Sequence, residues 1–414
     1  GRRGRSSNPE SLAEISVEAL LDDQRIAQRV LDHIDRNTTD MGTEIWREPV
    51  ANYRSEPRFR AEIELLKRLP IPFCPSAALP EAGSFVARNA AGTPLVAVRG
   101  DDGQVRAFRN ACRHRGMRLA DGAGCTKAFV CGYHGWTYRL DGRLLQIPHE
   151  AGFPDVDKSQ HGLVPVHAEE KCGLVFVTQI PSPIGAGALD GLPQMFASDQ
   201  RIFAANESVA DVNWKLFMEA NLEGYHIKPT HKTTFYPYGY DNLNVVETFG
   251  RNARVTFPFR RIEKLRALPP EQRNLAGMVT YVYHLFPNVI LAVLSNHTTM
   301  SVLEPLTTTQ TRFHTWRLTN KGEASQEPSG EKAKRDASFV SDTGGKEDAA
   351  VIRAIQNGLD SGANTHFTYG YYEKAIVHFH KTLSSLLGLP SKPVELVASS
   401  GTNSAVSCAP PFLL

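Results

Sequence analysis

The stretch "ACRHRGMRLADGAGCTKAFVCGYHGW", residues 111–136, decides how the rest of the chain is read. Cys112 and His114 stand one residue apart; sixteen residues later, Cys131 and His134 stand two apart. Each arm therefore carries one sulfur and one nitrogen donor. A structural zinc site usually groups its ligands by type, a cysteine pair and then a histidine pair. Mixed arms suit a [2Fe–2S] cluster instead, with two thiolates on one iron and two imidazoles on the other. A zinc-stapled binding module is the competing reading, and it predicts a colourless protein. Cys125, in the loop between the arms, is expected to be a small buried or loop residue outside the ligand set.

Around this stretch the texture is short β-type runs separated by turns, from about Phe73 onward: "GSFVAR" (83–88), "TPLVAVRGDDGQVRAFRN" (93–110) and "GLVPVHAEEKCGLVFVTQI" (162–180). Asp102-Gly103 and Asp141-Gly142, each between apolar runs, predict hairpin turns. This block reads as a small all-β domain ending at the proline- and glycine-rich "PSPIGAGALDGLP" (181–193). Gly185, Gly187 and Gly191 superficially resemble a dinucleotide loop, but Pro181 and Pro183 obstruct the strand-to-helix turn that such a loop needs.

Before the block, Leu12, Ile15, Leu20, Leu21, Ile26, Val30, Leu31 and Ile34 recur at helical spacing, predicting one or two amphipathic helices over residues 10–35. After it, helical and strand patterns mix. "PNVILAVLSNHTTMSVLEPL" (287–306) and "QTRFHTWRLT" (310–319) read as strands, and "KEDAAVIRAIQNGL" (346–359) and "YYEKAIVHFHKTLSSLLGL" (371–389) as helices. Without strict βαβα alternation the fold class is α+β. The expected division is 1–50 for N-terminal helices packing on the larger domain, 51–190 for the all-β domain and 191–414 for a larger domain of antiparallel sheet and helices.

Composition narrows the function. A chain of 414 residues with 41% hydrophobic content can bury a large core. Lys plus Arg number 46 against 44 Asp plus Glu, so nothing in the net charge argues for a nucleic-acid or membrane-surface partner. The longest apolar run, residues 289–294, is far shorter than the roughly 20 residues a membrane span needs. Arg2, Arg3 and Arg5 lead into polar residues without the apolar core of a secretory signal, and six cysteines in so long a chain suggest metal chemistry before disulfides. A cytoplasmic location is expected.

A second donor group lies in "NLEGYHIKPTHKTTFYP" (221–237), where His226 and His231 are five residues apart and Glu223 precedes them. On a continuous helix these histidines would be about 140° apart and unable to share a metal. Pro229 is expected to end the helix just past His226, letting His231 fold back beside it. Two histidines with one carboxylate and open positions form the facial triad of non-haem Fe(II) oxygenases.

Cys112-Arg113-His114-Arg115-Gly116 and Cys131-Gly132-Tyr133-His134-Gly135-Trp136 closely resemble the Rieske family. Together with His226 and His231 they make the chain similar, over most of residues 70–360, to the large (alpha) subunits of Rieske-type ring-hydroxylating and demethylating oxygenases. The resemblance implies an all-β Rieske domain holding [2Fe–2S] through Cys112, His114, Cys131 and His134, and a catalytic domain holding mononuclear Fe(II). It also implies a third iron ligand, an aspartate early in a C-terminal helix. Asp348 shares a helical stripe with Ile352, Ile355 and Leu359 and is the expected ligand, with Glu347 as the alternative. His378 and His380, two apart on one helix, diverge too far to pair.

The same resemblance gives Glu223 a role as electron-transfer bridge between the mononuclear-site histidine and a Rieske histidine of the neighbouring subunit. The family commonly has an aspartate there; similar oxygenases of quaternary ammonium compounds carry a glutamate. The implied protein is a terminal mono- or dioxygenase that uses O2 to hydroxylate, dihydroxylate or oxidatively demethylate a small organic substrate. An aromatic compound, as in aromatic catabolism, comes first and a quaternary ammonium or N-methyl compound is the alternative. Electrons would come from NAD(P)H through a separate flavin-dependent reductase, with or without a ferredoxin, and the chain would form a homotrimer. A Rieske electron-transfer protein without oxygenase activity is the reading from a different class. Residues 288–305 and Phe235, Tyr236, Tyr238 and Tyr240 are the expected pocket lining.

Overall fold

The computed structural model describes residues 19–322 and 330–388. Helix α1 (Asp23–Arg36) starts where the Asp22 carboxylate accepts the Arg25 N–H and stops where Asn37 adopts left-handed geometry. Its buried residues are Ile26, Ala27, Val30 and Leu31, and of these Ile26, Ala27 and Val30 pack with Leu243, Val245, Leu265 and Val279. Leu12 and Ile15 lie outside the described residues. Strand β1 (Trp46–Pro49) and helix α2 (Glu56–Arg68) come next.

The β block forms as its turn residues predict. Strands β2 (Ile71–Pro75), β3 (Ser84–Ala90), β4 (Thr93–Arg99), β5 (Val105–Arg109), β6 (Gly122–Cys125), β10 (Pro165–Lys171) and β11 (Leu174–Thr178) make one antiparallel sheet, ordered β2-β11-β10-β5-β4-β3-β6. The short strands β7 (Phe129–Val130), β8 (Thr137–Tyr138) and β9 (Leu144–Gln146) make a second layer. Asp102-Gly103 turns β4 into β5 and Asp141-Gly142 turns β8 into β9, each with glycine at positive φ. Val96, Val98, Phe108, Trp136 and Tyr138 fill the space between. Contrary to expectation, Cys125 is neither buried nor in a loop: it is exposed on the edge strand β6. Residues 181–193 form turns and one short 3-10 segment, with no helix after the glycines.

The larger sheet runs β12-β18-β17-β16-β15-β14-β13 and is antiparallel throughout. Its strands are β12 (Ile202–Ala210), β13 (Val245–Phe249), β14 (Asn252–Pro258), β15 (Val279–Leu285), β16 (Val289–Val293), β17 (His297–Thr307) and β18 (Gln310–Thr319). Side chains alternate between the two faces of the sheet. On β18, Phe313, Thr315 and Arg317 face a cavity, whereas His314, Trp316 and Leu318 are buried on the other side.

Helices α3 (Trp214–Ala220), α4 (Glu331–Asp342), α5 (Gly344–Gly358) and α6 (Lys374–Leu386) surround this sheet, and β19 (His366–Tyr369) pairs with β1. The core face of α6 is Ile376, Phe379 and Leu383, with the Phe379 ring 5.7 Å from Trp214. Glu62 of α2 accepts hydrogen bonds from Lys215 Nζ and Trp214 Nε1 of α3, joining the segment before the first sheet to the helix that leads into the second donor group. No helix among the described residues is long and apolar enough to cross a membrane.

Candidate active site

Two loops with matching backbone patterns present the Cys/His arms. The Gly116 N–H donates to Cys112 C=O (2.8 Å) and the Gly135 N–H to Cys131 C=O (2.9 Å). Cys112 and Cys131 in turn donate to Met117 and Trp136 C=O, both at 2.8 Å. Each loop closes through a glycine at φ +77° or +73°, a conformation that costs other residues steric strain. The result places His114 Nδ1 and His134 Nδ1 3.0 Å apart at the surface, with both cysteines buried beneath.

Trp136 stacks on His114 with ring centroids 5.0 Å apart, and Tyr133 stacks on His134 at 3.7 Å. Tyr138 Oη lies 3.2 Å from Cys112 Sγ and accepts the Arg113 N–H. Burial, opposed by that contact, pushes the Cys112 thiol up. Two thiols below two converging Nδ1 atoms is a donor set suited to a [2Fe–2S] group with unlike irons.

The second donor group is assembled from α5 and the segment after α3. Here Pro229 does not act as expected. The helix ends earlier, at Ala220, and Pro229 sits inside a separate short helix, Ile227–Thr230, with Lys228 helical. Pro229 is tolerated because N–H groups in a first helical turn have no intrahelical partner to lose. His226 caps this short helix and His231 ends it, so the two imidazoles flank a single turn with ring centroids 5.1 Å apart.

Asp348 completes the group. Its Oδ1 lies 3.0 Å from His231 Nε2 and 3.7 Å from His226 Nε2, and the three donor atoms lie within 4.8 Å of one another. Metal–donor bonds of about 2.1 Å at right angles would put donors about 3 Å apart, so a small contraction around one ion is all the fit requires. The stripe expected to turn Asp348 inward holds at Ile352 and Leu359, which are buried. It fails at Ile355, which is exposed although it lies within α5, and Leu359 packs from the turn that follows the helix.

Each histidine is held from behind by a carboxylate. Glu223 hydrogen-bonds His226 Nδ1 through Oε1 and accepts the His226 backbone N–H through Oε2 at 3.0 Å. Glu347 Oε2 lies 2.7 Å from His231 Nδ1 and accepts the Thr234 hydroxyl at 2.7 Å. The geometry therefore turns Glu347 away from the place where the three donors converge. Burial lowers the His231 pKa, but Asp348 and Glu347 outweigh it and raise it overall; the His231 and Thr234 hydrogen bonds hold Glu347 below the usual carboxylate range. His380, apart from all this, is buried with Nε2 2.8 Å from Glu219 and does not pair with His378.

The donors open on a cavity of about 860 Å³ against the larger sheet. Phe235, Tyr238 and Tyr240 line it, as do the cavity-facing residues of β16 and β17. Tyr236 does not; its ring lies beneath the side chains of Lys228 and Arg260. The Phe235 ring sits 4.8 Å from His231 and 6.4 Å from Phe339 of α4, so an aromatic wall adjoins the donor group. Sequence reasoning missed two polar residues of the cavity outside the expected lining, Asn206 and Arg317; strand alternation in "QTRFHTWRLT" puts Arg317 on the same face as Phe313 but says nothing of what that face covers.

Comparison with known proteins agrees with this architecture. Residues 70–162 match the Rieske [2Fe-2S] domain family and residues 198–388 match the ring hydroxylating alpha subunit (catalytic domain) family. The carnitine monooxygenase oxygenase subunit of Escherichia coli strain K12 is 26% identical over 379 residues, 83% of this chain and 94% of that one. The glycine betaine monooxygenase oxygenase subunit of Chromohalobacter salexigens is 38% identical over 159 residues, 37% of this chain and only 36% of that relative's length. A crystal structure of a quaternary ammonium Rieske monooxygenase superposes with a TM-score of 0.71 at 22% identity, covering 90% of this chain and 99% of that one. With a Rieske [2Fe–2S] domain followed by a catalytic domain of the kind that binds mononuclear iron, the chain belongs to the terminal oxygenase subunits of the Rieske non-haem iron mono- and dioxygenases.

Proposed function

We propose that Cys112, His114, Cys131 and His134 hold the [2Fe–2S] group, that His226, His231 and Asp348 hold the mononuclear iron, and that the adjoining cavity takes a small organic substrate for oxygenation. The observation that carries this reading is the convergence of three donor atoms within 4.8 Å of one another at the wall of a cavity of about 860 Å³. When bound, the two groups supply single-electron delivery and a site where O2 meets substrate. The balance for hydroxylation is substrate C–H plus O2, two electrons and two protons, giving C–OH and water. Where the new hydroxyl sits on an N-methyl or O-methyl carbon, the product loses formaldehyde and is demethylated.

The chain's own residues orient and enclose. Glu223 and Glu347 fix which nitrogen of His226 and His231 faces the cavity, leaving both Nε2 atoms for the ion. Phe235, Tyr238 and Phe339 form an aromatic wall beside His231 that suits an N-methylated cation through its ring faces, or a flat ring by stacking. We favour a quaternary ammonium or N-methyl substrate over an aromatic one. The carnitine relative aligned over nearly its whole length and glutamate at position 223 both support that order.

The assembly we propose is a homotrimeric ring supplied by a flavin-dependent reductase, with or without a ferredoxin, in the cytoplasm. Glu223 bridges to His134 of the next chain. Two exposed surfaces support this contact: Tyr133, Met117 and Val130 around the Rieske histidines, and Tyr225, Tyr371 and Tyr372 near Glu223. The domain division proposed is 1–50, 51–190 and 191–414. The test is oxygen uptake by the iron-loaded chain with a reductase and NADH, against quaternary amines, aromatic acids and methoxyarenes, with mass spectrometry for one or two atoms of labelled O2 in the product. Uptake that no compound stimulates, with no labelled product, would defeat the oxygenase reading.

A further inference from the structure

We infer that Arg317 and Asn206 form an anion subsite in the cavity wall, and that the substrate carries a carboxylate which this pair binds. The inference rests on the cavity being the oxygenase's substrate pocket. Arg317 faces the cavity from β18, with Thr299 of β17 and Ala204 of β12 as its cross-strand neighbours. Its Nη1 donates to Asn206 Oδ1 at 2.9 Å, one diagonal step away on β12. Of its five N–H donors that bond uses one. Among the described residues no carboxylate pairs with it, and burial alone shifts its pKa, downward.

Arg261 and Arg353 also line the cavity without a carboxylate partner among the described residues, Arg261 being held by Gly277 C=O and Ser295 Oγ, but several arginines of the larger domain do have one. Arg254 is held by Glu247, Arg312 by Glu207 and Arg266 by Asp35. A half-buried guanidinium without a carboxylate partner on a cavity wall gives an entering anion a counter-charge to pair with. Besides Asp348, the acidic group lining the cavity is Asp336 of α4, and it is already engaged: its Oδ2 takes both His297 Nδ1 (2.7 Å) and the Asn296 N–H (3.1 Å).

The geometry selects a carboxylate. A guanidinium edge presents two parallel N–H groups that match two carboxylate oxygens. Because Asn206 Oδ1 faces Arg317, its amide NH2 remains to donate to the same anion. One cation balances a monoanion, whereas a dianionic phosphate would leave excess negative charge in a cavity that Asp336 and Asp348 also line. Asp348 has its ionic contacts with His226 and His231, so the subsite holds the substrate from a part of the wall separate from the donor group.

The test measures binding to the iron-loaded chain under nitrogen, where no turnover occurs, using two probe pairs: γ-butyrobetaine against its amide, and benzoate against benzamide. At least one acid should bind about tenfold or more tighter than its amide. Arg317→Met should reduce that preference to under about twofold, and Arg317→Lys should restore part of it, since charge remains but the planar fork is lost. An unchanged Rieske absorption and melting temperature certify the variants; if the Met variant fails to fold, the Lys variant must still show a reduced preference. No acid preference in either pair, including no binding at all, would overturn the subsite, as would a preference that survives Arg317→Met. Reductase-driven oxygen uptake on the same samples keeps the two readings apart. Acid-selective binding without uptake overturns the oxygenase reading alone, and uptake with amides and acids alike overturns the subsite alone.

Discussion

Glu347 and Asp348, adjacent on one helix, approach opposite nitrogens of the same imidazole: Glu347 Oε2 is 2.7 Å from His231 Nδ1 and Asp348 Oδ1 is 3.0 Å from His231 Nε2. Neighbouring helical residues point about 100° apart, so one turn of α5 can grip a ring that lies across it from both edges. This gives the two carboxylates different chemistry, one facing the cavity and one fixing the ring.

Exchanging them separately should therefore give different losses. Asp348→Ala should abolish tight mononuclear iron binding. Glu347→Gln, which retains a hydrogen-bonding side chain but not the charge, should weaken iron affinity by about 10- to 100-fold, as removal of an orienting partner does. Iron titration of the two apo variants, monitored by competition with a chelator, checks this. Equal losses would mean that both carboxylates act alike.

Tyr138 should tune the iron–sulfur group. Its hydroxyl is 3.2 Å from Cys112 Sγ, and a donor to a ligating sulfur stabilises the reduced, more negative state. Tyr138→Phe should lower the reduction potential by about 40 mV if that hydrogen bond contributes about 1 kcal/mol. Protein-film voltammetry of both forms measures the difference; an unchanged potential would remove Tyr138 from the tuning.

Glu373 should make stability fall as the solution turns from acid to neutral. Burial raises its pKa to about 7 against the Gly370 N–H, with Glu223 and Glu219 adding to the rise. The folded chain thus binds a proton that the unfolded chain releases near 4.5, so folded stability declines between about pH 4.5 and pH 7, by up to roughly 3 kcal/mol before solvent screening. Glu373→Gln keeps an acceptor for Gly370 and lacks the charge. Its melting temperature should gain on the native chain's as pH rises across that window, and parallel curves would contradict the assignment.

Mixed assemblies test the proposed bridge through Glu223. Cys112→Ser disables the cluster on one chain and His226→Ala the mononuclear site on another. If electrons cross between chains, co-expressed and differentially tagged mixed rings should regain activity that neither variant has alone. Mixed rings that stay inactive would confine the transfer to a single chain and leave Glu223 as the holder of His226.

Much of this was legible in the sequence, for reasons of distance along the chain. The Cys112/His114 and Cys131/His134 arms lie on two nearby loops, so their spacing carries their geometry, and Asp-Gly turns marked the hairpins around them. The role of Pro229 was misread because its effect depends on where the helix had already stopped. Glu347 and Asp348 could not be told apart from periodicity, since the partner that distinguishes them, His231, is 116 residues from Glu347. Arg317 carried no sequence signal at all: an arginine on an alternating strand looks solvent-facing until a cavity is known to cover it.

The central claim is that one chain carries two separate iron groups, and iron stoichiometry tests it most directly. After anaerobic reconstitution and removal of loose metal, the native chain should hold about three irons, two in the cluster and one at His226, His231 and Asp348. His226→Ala should hold about two, with the visible iron–sulfur spectrum unchanged. A native chain that saturates at about two irons while showing that full spectrum would contradict the account and leave an electron carrier in place of an oxygenase.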